Sequence, residues 1–339
     1  MRRRIAGLFA ALIGFGVAHA QTPPPAVNTA LDVYAKPQRL VALADGRHIA
    51  LFCQGKGAPT VVFTAGLGGW STSWAKVQPA VARHARTCAW DRAGFGHSDG
   101  DDQPQTLDRT TADLEQVLAA GHVKGPYVLV GHSAGAFETL RFADQHRGEV
   151  VGIVLVDPSV PDQATRFAAI SDTITKAQTI TMGAQIAFQR NCAKGLKDGT
   201  IKPDDGVWKA CFRQGPGTSA LLAGAMAERD RQPGRFTAKA SLAEQFGASA
   251  AAVADANRSY GDLPLIVLTQ GTGLGIPGAT AEQMAALNSG WIGWHDDYAK
   301  LSTRGVNLIV RGAGHGIQDD KPQAVIGAIV AVLDMAAAR

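Results

Sequence analysis

Short runs of β-branched and aliphatic residues alternate with longer stretches in which apolar residues recur at helical spacing. The runs are Thr60 to Thr64, Arg86 to Trp90, Tyr127 to Val130 and Val151 to Val156, and Thr110 to Ala120 and Ala134 to Gln145 are the helical stretches between them. Continuous apolar runs suit central strands covered on both faces, and the alternation predicts a mostly parallel sheet with helical crossovers. Upstream, Arg39 to Leu43 and His48 to Cys53 flank Asp45-Gly46, a strong hairpin signal, so the domain is expected to open with an antiparallel pair.

The pattern breaks after Asp157. From Ser159 to Tyr260 the chain is rich in Ala, Gln, Lys and Arg and has no strand-like run, which predicts an all-helical insertion placed as a cap over the sheet. Its Phe167, Phe188, Trp208, Phe212, Phe236 and Phe246 are expected as core and pocket lining rather than as a partner surface. Strand character resumes at Leu265 to Leu268 and Val306 to Val310, with a helix-like segment between and a final helix over Gln323 to Met335.

The N-terminus changes the picture of charge. Arg2, Arg3 and Arg4 precede an apolar run from Ile5 to Val17 and a small-x-small site, Ala18-His19-Ala20, the pattern of a secretory signal peptide. The run is shorter than the roughly 20 residues a membrane-spanning helix needs. Cleavage after Ala20 removes three arginines and no acid, so the formal charge falls from +4 to +1. A nearly neutral mature chain gives no electrostatic reason to expect nucleic acid or an anionic membrane as partner. The expected location is periplasmic or secreted, and Pro23-Pro24-Pro25 reads as part of an extended linker. The chain thus divides into a leader (1–20), a linker (21–37), a first core segment (38–158), a helical cap (159–260) and a second core segment (261–339).

Cys53, Cys88, Cys192 and Cys211 are the cysteines. An even count in an exported chain permits two disulfides, with three pairings open, and their spacing does not suit a zinc site.

Candidate chemistry centres on Gly131-His132-Ser133-Ala134-Gly135, which follows a predicted strand and precedes a predicted helix. In that context G-x-S-x-G marks a nucleophile elbow, with Ser133 on a strained turn and flanking glycines where side chains would clash. A serine hydroxyl needs an adjacent base, and His315, in Gly312-Ala313-Gly314-His315-Gly316 after the last strand, fits in both chain order and placement. His132 is expected to pack rather than reach the hydroxyl. Two backbone donors are needed for the oxyanion. The amide of Ala134 is one, and that of Leu67, in the loop Ala65-Gly66-Leu67-Gly68-Gly69, is expected as the other.

With these residues in view the chain resembles the α/β-hydrolase superfamily outside the insertion. Asp91-Arg92-Ala93-Gly94-Phe95-Gly96-His97-Ser98-Asp99 is similar to the D-R-x-G-x-G-x-S turn after that family's fourth strand. The resemblance implies an eight-stranded, mostly parallel sheet flanked by helices, a cap after strand 6, and no metal or organic cofactor. It also puts the second and fourth strands side by side, pairing Cys53 with Cys88 and leaving Cys192 with Cys211 in the cap. One feature departs from the family's commonest pattern, in which an aspartate follows the seventh strand: here Thr269-Gln270-Gly271-Thr272-Gly273 carries no carboxylate. Some members place the acid after the sixth strand, where this chain has Asp157, so Asp157 is the expected partner of His315, with Glu282, Asp162 and Asp296 as fallbacks. The implied activity is ester hydrolysis on a small or medium-sized substrate through an acyl-enzyme. An amidase or aminopeptidase, a carbon–carbon bond hydrolase and a non-catalytic binding protein are the alternatives. Haloalkane dehalogenases and epoxide hydrolases of the same fold carry aspartate at the elbow, so Ser133 argues against both.

Overall fold

The computed structural model describes residues 27–202, 206–213, 215 and 218–338; the leader expected over 1–20 lies outside them. Eight strands, β1 (Arg39–Ala42), β2 (His48–Gln54), β3 (Thr60–Thr64), β4 (Thr87–Trp90), β5 (Tyr127–His132), β6 (Val150–Val156), β7 (Leu265–Gln270) and β8 (Gly305–Val310), form one sheet. Its order is β1-β2-β4-β3-β5-β6-β7-β8. β2 runs antiparallel to both of its neighbours, and the remaining pairs are parallel.

Side-chain alternation along the strands builds two cores. Val62, Leu129, Leu155 and Val267 point into one, under the helices α2 (Leu107–Ala120), α3 (Gly135–Gln145) and α10 (Ala281–Ala299). Val61, Phe63, Val128, Val130, Val154 and Val156 point into the other, under α12 (Pro322–Ala337) and the short α1 (Gln78–Val81). Because both faces are covered, the strands carry apolar residues at consecutive positions, which is why they read as continuous runs in the sequence. Gly152, inside β6, lets α12 approach closely: a Cβ there would lie 2.3 Å from Val332 Cγ1.

Between β6 and β7 the elements are helices: α4 (Gln163–Ile170), α5 (Asp172–Lys197), α6 (Gly206–Cys211), α7 (Ala220–Arg229), α8 (Pro233–Glu244) and α9 (Phe246–Ala252). The last short helix of the core, α11 (Ile317–Asp320), precedes α12. The helical region is pinned to the core at the turn after β4, where Arg235 of α8 donates to the carbonyls of Gly96 (2.8 Å) and Ser98. That guanidinium is almost fully buried, so its donors must be met by protein oxygens, and fixed backbone carbonyls meet them.

The linker expected over 21–37 requires correction at its end. Thr29–Tyr34 forms a 3-10 helix, with the Asn28 side chain accepting from the Ala30 amide at 3.1 Å. Tyr34 is buried against Phe52 of β2, with Leu222 and Met226 of α7 in the same cluster. Tyr34 and Ala35 supply the apolar surface that holds this segment, which a reading of its local composition does not reveal. No helix among the described residues is long and apolar enough to cross a membrane.

Cys53 bonds Cys88 across β2 and β4, and Cys192 bonds Cys211 between α5 and α6. These disulfides span 35 and 19 residues of sequence. Chain-entropy reasoning assigns roughly 3 to 4 kcal/mol to loops of such lengths. Replacing Cys53 and Cys88 together by alanine should therefore lower the unfolding free energy in urea by about 4 kcal/mol, and the Cys192/Cys211 pair by about 3 kcal/mol. An unchanged denaturation midpoint in either double variant would count against that bond as a restraint on the unfolded chain.

Candidate active site

β5 runs two residues further than its apolar stretch and ends at His132, so the chain turns at Ser133 directly off the sheet. Ser133 has φ of +52°, a left-handed conformation unfavourable for a side-chain-bearing residue and maintained only by its surroundings. Close contacts explain the glycines on either side. A Cβ on Gly131 would lie 2.4 Å from Thr139 Oγ1, and one on Gly135 would lie 2.6 Å from the carbonyl oxygens of Thr64 and Ala65. The turn is thereby wedged between β3 and α3.

His315 lies in the loop between β8 and α11. Asp320 Oδ2 fixes this loop by accepting from the Gly314 amide at 2.8 Å. His315 Nδ1 is 2.6 Å from Asp157 Oδ2, and its Nε2 is 2.9 Å from Ser133 Oγ. An ionised carboxylate only accepts, so Nδ1 carries the proton; Nε2 is then the acceptor for the serine hydroxyl. The imidazole side chain is 46% exposed, whereas that of Asp157 is completely buried.

Asp157 follows β6 with φ of +40°. Its second oxygen, Oδ1, accepts from the Gln270 amide and from Trp291 Nε1, both at 3.0 Å. Burial pushes this carboxyl up, but the hydrogen bond from His315, the electrostatic influence of the His315 and His295 imidazoles and the Gln270 amide together hold it below the usual carboxylate range. It therefore stays ionised facing His315. The fallback acids sit elsewhere: Asp162 immediately precedes α4, Glu282 is in the first turn of α10, and Asp296 accepts from Asn307.

His132 is buried and packs, as its position next to Ser133 suggested. Its Nε2 donates to the His315 carbonyl at 2.9 Å, and the two rings lie 4.8 Å apart, so it steadies the loop that carries His315. Leu67 and Ala134 pack in one cluster with Leu107 and Phe137. The loop after β3 that carries Gly66 and Leu67 passes so close to the elbow that a Cβ on Gly66 would meet Ser133 Cβ at 2.9 Å. Arg92 ties this region together. It forms a bidentate pair with Glu138 of α3 (2.6 and 3.0 Å) and reaches the Gly66 carbonyl at 3.4 Å. Asp91 beside it is fully buried and accepts from the Ser71 amide and hydroxyl and the His97 amide; burial pushes its carboxyl up to about 6.

Sequence reasoning missed Trp291, Gln270 and the Arg92–Glu138 pair as supports of the site. Gln270 acts through a backbone amide that any residue but proline supplies, and Trp291 is one apolar position among many on α10. The D-R-x-G-x-G-x-S segment was the available signal for Arg92. Among the described residues no cluster of side chains is suited to hold a metal ion.

A model described as the alpha/beta hydrolase family matches residues 61–328. The uncharacterized protein YqjL of Bacillus subtilis is 34% identical over 129 residues, covering 38% of this chain and 51% of that protein. The 2-hydroxy-6-oxo-6-(2'-aminophenyl)hexa-2,4-dienoic acid hydrolase of Metapseudomonas resinovorans is 33% identical over 104 residues, covering 30% of this chain and 36% of that protein. The chain thus spans about half or less of the length of these relatives. A thermophilic esterase from Thermogutta terrifontis has the same fold, with a TM-score of 0.54 at 18% identity, covering 88% of this chain and 98% of that one.

Two buried imidazoles beside the site make stability depend on pH. His132 and His295 are each pushed down to about 4, chiefly by burial, whereas an unfolded histidine titrates near ~6.5. Below that value the unfolded chain binds more protons, so the stability these histidines contribute is complete above about 6.5 and is lost as the pH falls toward 4. Asp91, raised to about 6, opposes this in part because its folded form takes up a proton first. Urea denaturation should show stability decreasing from pH 6.5 to 4.5. A His295→Gln variant should lose less over the same range, by at most about 1.4 kcal/mol per pH unit for the one proton removed. Equal losses in the two proteins would rule out a buried neutral His295 as a source of the slope.

Proposed function

The chain belongs to the alpha/beta hydrolase family, and on that footing we propose that it is an exported serine hydrolase that cleaves carboxylic esters of small or medium-sized substrates. The observation that carries this reading is the continuous hydrogen-bonded line from Ser133 through His315 to the buried Asp157. Ser133 Oγ attacks the ester carbonyl as its proton passes to His315 Nε2. Asp157 keeps the imidazole in the required tautomer and stabilises its charged form, and the Leu67 and Ala134 amides hold the oxyanion. Collapse expels the alcohol, which takes the proton from His315. Water then attacks the acyl-enzyme, gives a proton to His315, and the acid leaves as Ser133 recovers its hydrogen.

Export is supported by the leader pattern over 1–20 and by two disulfides, which persist in oxidising compartments. A second reading, carbon–carbon bond hydrolysis on the same three residues, is favoured by the local likeness to the dienoic acid hydrolase.

The test is hydrolysis of p-nitrophenyl esters from acetate to palmitate by the mature protein. Turnover should vanish in Ser133→Ala and fall roughly 10⁴-fold in Asp157→Asn, where the amide disfavours the working tautomer. The chain-length optimum sizes the acyl pocket. A folded wild-type protein that cleaves none of these esters would overturn the esterase reading and favour the carbon–carbon one.

A further inference from the structure

We propose that Lys239 binds an anionic group of the substrate, a carboxylate carried by the ester, in a cavity between the helical region and the oxyanion loop. This inference rests on the ester-hydrolase reading of Ser133 and names the class of ester. The cavity measures about 290 Å³ and is walled on one side by Leu67 and Gly68 and on the other by Gln189 of α5 and Lys239 of α8. Leu67 and Gly68 directly follow Gly66, where an added Cβ would lie 2.9 Å from Ser133 Cβ, so the cavity is lined by the continuation of the segment that packs against the nucleophile's turn.

The mechanism above makes no use of Lys239, and its burial is costly. Only 17% of its side chain is exposed. Its Nζ donates to Asp230 Oδ1 at 2.9 Å, the same oxygen that Arg235 Nε uses at 2.9 Å. Two cations thus share one carboxylate at this wall, and exposed Arg213 adds a third at the rim. Asp91 lies on the core side of Arg235, tied to Ser71 and His97. The ammonium has three N–H groups, and its other neighbours here are the faces of Phe236 (5.0 Å) and Phe95 (6.0 Å). In the same cavity lining the buried Gln189 Oε1 has no hydrogen-bond partner among the described residues, and rotation of that amide presents its NH₂ instead. A surplus of positive charge, spare donors and aromatic walls match a carboxylate on a short carbon chain.

The probes are monomethyl glutarate, with its carboxylate on the acyl side, and 4-acetoxybutyrate, with its carboxylate on the alcohol side. In the binding arm, calorimetry on full-length mature Ser133→Ala protein should show uptake of at least one probe, weakened tenfold or more by adding Lys239→Met. In the kinetic arm, the ratio of kcat/KM for that probe to kcat/KM for its uncharged analogue, methyl valerate or butyl acetate, should fall by tenfold to about a hundredfold in Lys239→Met. Lys239→Gln, which keeps a donor for Asp230 without the charge, should lower it similarly, and Lys239→Arg should restore part of it. Lack of binding by either probe, or a ratio that does not move, overturns the assignment. If no ester is turned over, the reading of Ser133 fails, while the binding arm still decides the anion site.

Discussion

A carboxylate with no exposed surface needs hydrogen-bond donors to remain charged, and much of the site is arranged around meeting that need for Asp157. Three groups meet it: His315 from the loop after β8, the Gln270 amide at the end of β7 and Trp291 from α10. Each comes from a different element, so the carboxylate fixes the relative positions of β6, β7, the β8 loop and α10. The same contacts hold the imidazole at hydrogen-bonding distance from Ser133. The left-handed backbone at both Ser133 and Asp157 is stabilised by the sheet, since the Ser133 amide donates to Val156 and the Asp157 amide to Leu268.

This arrangement depends on the parallel run of β5, β6, β7 and β8, whose carboxyl ends share one edge of the sheet. Ser133, Asp157 and His315 are each the product of a loop leaving that edge. The turn after β4 then performs a second task. Arg92 braces the elbow helix and the Gly66 loop, while the backbone from Gly96 to Ser98 receives Arg235 from the helical region. One turn thus couples the elbow and the Gly66 loop to the helical region, and the cavity lined by Lys239 opens beside that coupling.

Much of this was legible along the chain because it is local chemistry. Apolar runs covered on both faces identify the strands, Gly131 to Gly135 can hardly form anything but a tight turn between strand and helix, and a histidine among glycines after the last strand is well placed to reach it. Asp157 was also legible, through the missing carboxylate after β7 and the aspartate that ends β6. The sequence by itself thus determined the order of elements and the three candidate residues of the site. Only the tertiary structure decided what satisfies Asp157, that Tyr34 anchors the segment ahead of β1, and that Lys239 and Arg235 share Asp230 beside the loop of Leu67 and Gly68. The reason is physical: each of those features depends on residues far apart in sequence whose separation in space is fixed by packing, and a backbone amide such as that of Gln270 leaves no mark of its own in the residue types.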